Sequence, residues 1–401
     1  MNIIMRTICL GLLIPLTASA GLLEYSSYGT PAECWNSAGL ALNLKGVALA
    51  GQGLLANPAL MADSPGAQSQ AALGLEWRRE YRSVEVFDSY ANSVGLRTTA
   101  VNDQASLQIR ALQASYSAEA FGLPGLAAGL AFSREYDYTY RYRLEERDAF
   151  YYLTNVYEIQ GSGALYGYSG ALAIRPLERL SLGLGLTRLA GQPDMEFRDS
   201  YTDPTLSDNL IAYRSDLAGS RALAGLLWRA SDRISLGLDW RSSCRLAGTT
   251  NYQVNDSTVS AARRIGLPST VTAGFSYRPA NVHQATINLE YQYTPWQHLE
   301  DNLYPTPFLA AVSRFSCGIT HRMGNGRPVS FGVSFANSYL SPNIGLARAG
   351  FGTGLPTPWA RAELSAGVGR RTYNYGQAFG TSSGVTVTET MADFMLTFSL
   401  K

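Results

Sequence analysis

The sequence is short of charge: 16% of its 401 residues are Asp, Glu, Lys or Arg, against roughly 25% in an average protein. Neither sign dominates, with 32 basic and 31 acidic side chains, so the basic excess of a nucleic-acid binder is missing. Cysteine is scarce too. Beyond residue 20 only Cys34, Cys244 and Cys317 remain, an odd set without the paired spacing of a disulfide framework or a metal site. One bridge with a free thiol and three inert thiols both fit that set. No later apolar run reaches the roughly 20 residues a transmembrane helix needs. Disorder is excluded as well, because 46% of the chain is apolar and its net charge is +1. No linker divides it.

The N-terminus reads as an export address. Residues 1–6 carry positive charge, residues 7–17 are apolar, and Ala18-Ser19-Ala20 supplies small residues for cleavage. The expectation is a signal peptide over 1–20, cut after Ala20. The residues before Cys9 and Cys34 do not form a lipid-attachment box.

Along the rest of the chain the recurring pattern is period-two alternation. Leu180, Leu182, Leu184 and Leu186 alternate with Ser181, Gly183, Gly185 and Thr187. Ile234, Leu236, Leu238 and Trp240 repeat the pattern, as do Val329, Phe331, Val333 and Phe335. Each such segment is about ten residues long, enough for a tilted strand to cross a bilayer. Short turns at 175–179, 230–233, 278–283 and 323–328 join some pairs, and long polar stretches at 191–213, 247–267 and 297–312 join others. That asymmetry belongs to an outer-membrane barrel, and a soluble sandwich has no reason for it. Thirteen strands are read directly, one of them spanning 233–247. An even count with both ends periplasmic demands one more, and 343–351 is the only room for it. The fold class is therefore an all-β transmembrane antiparallel barrel of about 14 strands over residues 69–401.

Tyr136, Tyr138, Tyr140 and Tyr142 share one face of a strand, which predicts an aromatic girdle at the outer interface. Basic residues other than Lys45 and Lys401 are all Arg, which suits lipopolysaccharide contacts or genomic base composition equally. The face opposite the apolar one is mostly Gly, Ser, Thr and Ala with scattered charges, leaving room for something to fill the lumen. Residues 21–68 are the candidate. They carry only Glu24, Glu33, Lys45 and Asp63 as charges, do not alternate, and include an apolar run at 46–51 that must be buried somewhere.

Within that segment Gly46-Val47-Ala48, and later Asn57-Pro58-Ala59, resembles the N-terminal hatch of the FadL/TodX family of outer-membrane transporters. The resemblance implies passive uptake of hydrophobic small molecules, long-chain fatty acids or hydrocarbons. An outer groove, a pocket above the hatch and a lateral exit through a strand defect would carry them. It implies as partners outer-membrane lipid and lipopolysaccharide, the hydrophobic ligand and the barrel-assembly machinery. No cofactor, metal or nucleic acid is expected. Two other readings compete. A PorV-like, non-transporting barrel would serve as a scaffold for secretion or surface attachment, with a blocked pore. A general porin is disfavoured by the small, charge-poor inner face. Catalysis finds little support: His283, His298 and His321 have no nucleophile motif nearby and no zinc-ligand spacing.

Overall fold

The computed structural model describes residues 28–63, 66–88, 92–120, 123–148, 150–280, 284–303, 309–356, 360–379 and 383–400. The export signal, its cleavage site and His283 lie outside these residues. Fourteen strands close into the barrel. They are β1 (Gly66–Asp88), β2 (Ser93–Ala120), β3 (Leu123–Asp137), β4 (Ala164–Leu177), β5 (Leu180–Gly191), β6 (Asn209–Ser231) and β7 (Ile234–Arg241). The ring continues with β8 (Thr270–Tyr277), β9 (Ala285–Thr294), β10 (Val312–Arg322), β11 (Pro328–Asn337), β12 (Gly345–Pro356), β13 (Ala360–Asn374) and β14 (Val385–Leu400). Every neighbouring pair is antiparallel. The ring shuts where β1 pairs with β14, from Ser69↔Leu400 to Val84↔Val385. Closure pairs the first strand with the last, as a sheet that spans hydrocarbon requires.

Alternation builds the wall. On β5, Leu184 and Leu186 are 69% and 57% exposed while Ser181 and Thr187 are buried. Leu130, Leu172, Phe331, Phe351 and Leu364 extend the same outward apolar belt around the barrel, as lipid contact requires. The strand that parity demanded is β12, so the count of fourteen holds.

Above the wall the polar stretches at 191–213 and 247–267 are not open loops. Strands Tyr140–Arg147, Leu153–Ser162, Asp194–Tyr201, Cys244–Val254 and Ser257–Leu267 join the outer half of β6 in a second layer of sheet. They escape a hydropathy reading because they have no lipid face and their buried apolar residues, such as Leu246, Ile265, Ile159 and Met195, form only short broken rows. The strand expected over 233–247 breaks at Ser242-Ser243 for the same reason. There β6 changes partner, from β7 at Leu223↔Arg241 to the outer strand at Ala218↔Ala247.

The girdle expected from Tyr136, Tyr138, Tyr140 and Tyr142 is not one. All four rings are buried. The pairing of β3 with β4 slips between Arg134 and Tyr136, and β3 ends at Asp137 beneath the outer sheet, so these rings pack in a roof instead of facing lipid.

Candidate ligand cavity and hatch

Residues 28–63 occupy the lumen. Thr30 and Pro31 pair with Asp137 and Tyr136, and a short helix, α1 (Ser37–Leu42), comes next. Asn36 caps its start by accepting from the Gly39 N–H, and Asn43 ends it in the left-handed region at φ 52°, a conformation asparagine tolerates. A 3-10 turn, Pro58–Asp63, then leads into β1.

The small inner-face residues are the footprint of this segment. A Cβ on Gly183 would stand 2.5 Å from the backbone of Pro58 and Ala59, and one on Gly225 would meet the Pro58 ring at 2.8 Å. Only glycine lets two backbones approach so closely.

The residues Gly46, Val47, Ala48, Asn57, Pro58 and Ala59 come together in space. Asn57 is fully buried and joins the two halves of the motif. Its side-chain amide donates to the Val47 carbonyl at 2.9 Å and to Leu226 of β6 at 3.0 Å. Its Oδ1 accepts from the Ala59 N–H at 3.0 Å. Gly46 sits at φ +89°, and the turn aligns three successive N–H groups, those of Lys45, Gly46 and Val47, on the Glu290 carboxylate.

Further ties hold the segment to the wall. The Ser37 hydroxyl donates to the carbonyls of Glu363 and Met395. Arg314 donates to the Asn43 carbonyl, and Arg241 to that of Leu55. Lys45 pairs with Asp239, and burial pushes its ammonium down to about 8. Burial also pushes the Cys34 thiol up to about 11. All three described cysteines are free.

Between this segment, the barrel wall and the rings of Trp296 and Tyr339 lies a cavity of about 180 Å³. Its roof is aromatic: Trp296 stacks on Tyr339 at 4.4 Å between centroids, and Tyr136 meets Trp296 edge-on at 6.4 Å. Its remaining walls are charged. Glu33 accepts from Arg348 at 2.5 Å and pairs with Arg314 at 3.2 Å. Arg348 also pairs with Asp393, and Arg110 binds Glu76 at 2.8 Å. Across the cavity Glu135 takes Arg221 at 2.6 Å and Arg241 at 3.2 Å. Burial works to raise the Glu33 carboxyl, but the Arg314 and Arg348 guanidiniums outweigh it and hold the group below its ordinary range. The inner face is therefore small at the hatch footprint, as expected, but not charge-poor: Asp239 and Glu290 meet the hatch there, and more charges stand above it. Short local groups such as Arg134-Glu135 and Glu76/Arg78 are visible in the sequence, but most of their partners stand on other strands.

The wall beside the cavity is incomplete. The ladder between β2 and β3 starts at Ala111↔Ser133 and runs to Ala120↔Leu123. Outward of Ala111, no ladder pair joins residues 104–110 to β3 among the described residues. Arg110 is bulged out of the β1–β2 register and turns to Glu76. Gln108 and Asp137 approach to 3.5 Å across that gap.

The two described histidines lie away from the cavity lining. His298 is exposed in an outer turn, and His321 pairs with Ala285 near the opposite end of β10. Among the described residues no group of three His, Cys, Asp or Glu side chains could hold a metal ion.

Comparison with protein-family models and with curated protein sequences gives no match. Solved structures do match. A Pseudomonas aeruginosa FadL homologue superposes with a TM-score of 0.65 at 14% identity, covering 93% of this chain and 99% of that one. The P. putida toluene transporter TodX gives 0.60 at 13% identity, covering 92% and 99%. The Ralstonia pickettii toluene transporter TbuX gives 0.60 at 12%, covering 92% and 98%. Over nearly its whole length this chain has the fold of the FadL/TodX outer-membrane channels.

Proposed function

We propose that this protein is an outer-membrane channel for passive uptake of hydrophobic small molecules. Residues 1–20 would be removed after Ala20, residues 21–68 would act as the hatch, and the apolar belt would sit in lipid. One observation carries the reading: a cavity lies between a seated plug and an aromatic roof, beside a gap in the β2–β3 wall. A compound entering from outside would rest in that cavity and leave sideways, without crossing the plugged lumen or returning to bulk water. Mass spectrometry of organic extracts from protein purified in mild detergent tests this, with a variant lacking residues 21–68 beside it. Co-purifying small molecules that vanish with the deletion support uptake. An empty barrel that brings down a stoichiometric protein partner refutes it.

That second outcome belongs to the scaffold reading, which one feature favours. Phe150, Tyr151 and Tyr152 stand 80%, 71% and 73% exposed at the tip of an outer hairpin. Adjacent exposed aromatics of this kind are common at protein interfaces.

A further inference from the structure

The charges around the cavity do not balance, and their excess has one sign. On one side Arg78, Arg110, Arg314 and Arg348 share three carboxylates, Glu33, Glu76 and Asp393. On the other, Lys45, Arg221 and Arg241 share two, Glu135 and Asp239. That is seven cations to five anions (4 + 3 against 3 + 2). Glu290 reduces the excess of two to one, but its carboxylate is already taken by three hatch N–H groups. Buried charge without a counterion is costly, so such a site favours an anion.

Donors stand ready for it. The Nε atoms of Arg110, Arg221, Arg314 and Arg348 and the indole Nε1 of Trp35 are buried without a hydrogen-bond partner, and all five residues line the cavity. Arg221, Arg314 and Trp35 are themselves more than nine-tenths buried. Native proteins seldom leave buried donors unpaired, and a carboxylate beside these guanidiniums would offer them charge-assisted acceptors.

Size and roof complete the description. A dry cavity of about 150 Å³ accommodates benzene, so 180 Å³ suits one ring with a small substituent and excludes an extended acyl chain. The stacked Trp296 and Tyr339 and the edge-on Tyr136 offer that ring aromatic neighbours.

We infer that the cavity above the hatch binds a one-ring aromatic carboxylate, its ring under Trp296 and Tyr339 and its carboxylate among Arg314, Arg348 and Arg110. This rests on the channel reading and narrows its cargo from hydrophobic compounds in general to an anionic amphiphile of benzoate size. The polar wall gap at Gln108, Arg110, Arg134 and Asp137 suits such a molecule better than a bare hydrocarbon.

The test is titration calorimetry on the full-length protein in detergent with benzoate, its neutral isostere toluene, and dodecanoate as a long-chain anion. Benzoate is expected to bind saturably and at least about tenfold tighter than toluene, one charge-assisted contact being worth that much. Arg314→Gln and Arg348→Gln should each weaken benzoate about tenfold and toluene by much less, since toluene has no charge for them to meet. Asp393→Asn, which frees Arg348 and Arg110, should tighten it. That opposite sign keeps the inference testable should either arginine variant fail to show the heat-modifiable mobility of a folded barrel. Toluene binding as tightly as benzoate, dodecanoate displacing benzoate, or Asp393→Asn weakening it overturns the inference while leaving a channel in place. If none of the three binds or enters liposomes carrying the protein, the channel reading falls with it.

Discussion

Glu290, midway along β9, receives the backbone N–H of Lys45 at 2.6 Å on one carboxylate oxygen; the next two N–H groups, of Gly46 and Val47, reach the other at 2.8 and 3.1 Å. A strand side chain thus clasps the hatch by its backbone, independently of what side chains the hatch carries there. Charge-assisted bonds of this kind are roughly twice as strong as neutral ones. Glu290→Gln keeps one acceptor oxygen and turns the other into a donor facing an N–H. The seated hatch should lose about 1–3 kcal/mol, read as more frequent openings in planar-bilayer recordings with the barrel's melting unchanged. Opening frequency equal to wild type would show that the clasp does not hold the hatch.

The glycine footprint gives a steric test. Gly225 lies against Asn57 and Pro58 with no room for a side chain, so Gly225→Val must displace the turn that Asn57 organises. Overpacking of this kind costs about 1–3 kcal/mol. The variant should fold as a barrel with a dislodged hatch, conducting ions for more of the time than the wild type. Gly345→Val is the control, since a Cβ there meets nothing within 4 Å.

Lys45 makes hatch seating depend on pH. Burial, with Arg241 next in weight, depresses its ammonium from 10.5 to about 8, against the pull of Asp239. A released hatch would carry the ammonium at its ordinary value. Between about 8 and 10.5 the seated state therefore binds fewer protons than the released one, so seating strengthens as pH rises through that window, by about 3 kcal/mol in all. Below it both states are protonated and the curve is level. Openings should become rarer from pH 8 to 10 in the wild type and stay constant in Lys45→Met, where Arg241 still pairs with Asp239.

These tests fall on features unequally visible in the sequence. The barrel was legible because lipid on one side enforces a strict apolar row, as at Leu182, Leu184 and Leu186, and because parity placed β12 where alternation alone was weak. The outer sheet was not: a strand such as Cys244–Val254 buries only Cys244 and Leu246 as apolar residues at its inner end, a row too short to show in the sequence. The hatch contact could be inferred, since small residues on an inner face have to face something. The charged cavity could not. Arg348 reaches Glu33 across 315 positions and Asp393 across 45, a convergence that exists only once the barrel is closed. Tyr136 was misplaced for a related reason. A strand's outward face is defined only while its register holds, and the register of β3 slips between Arg134 and Tyr136.

The outer hairpin tip decides between channel and scaffold. Asp148 Oδ1 accepts from the N–H groups of Phe150 and Tyr152 at 2.8 and 2.9 Å, and Arg147 donates to the Tyr151 carbonyl at 3.0 Å. The turn is fixed by its own backbone, with Tyr151 held at φ 66°, and needs none of the three rings for its shape. Replacing them together (Phe150→Ser, Tyr151→Asn, Tyr152→Ser) should leave stability within about 0.5 kcal/mol, as exposed substitutions do, with Asn tolerating the left-handed position. On the channel reading benzoate binding and uptake into liposomes are unchanged. If the same variant instead abolishes a stoichiometric complex that the wild type forms on cells, while uptake is absent from both, the barrel is a scaffold and the tip is its docking surface.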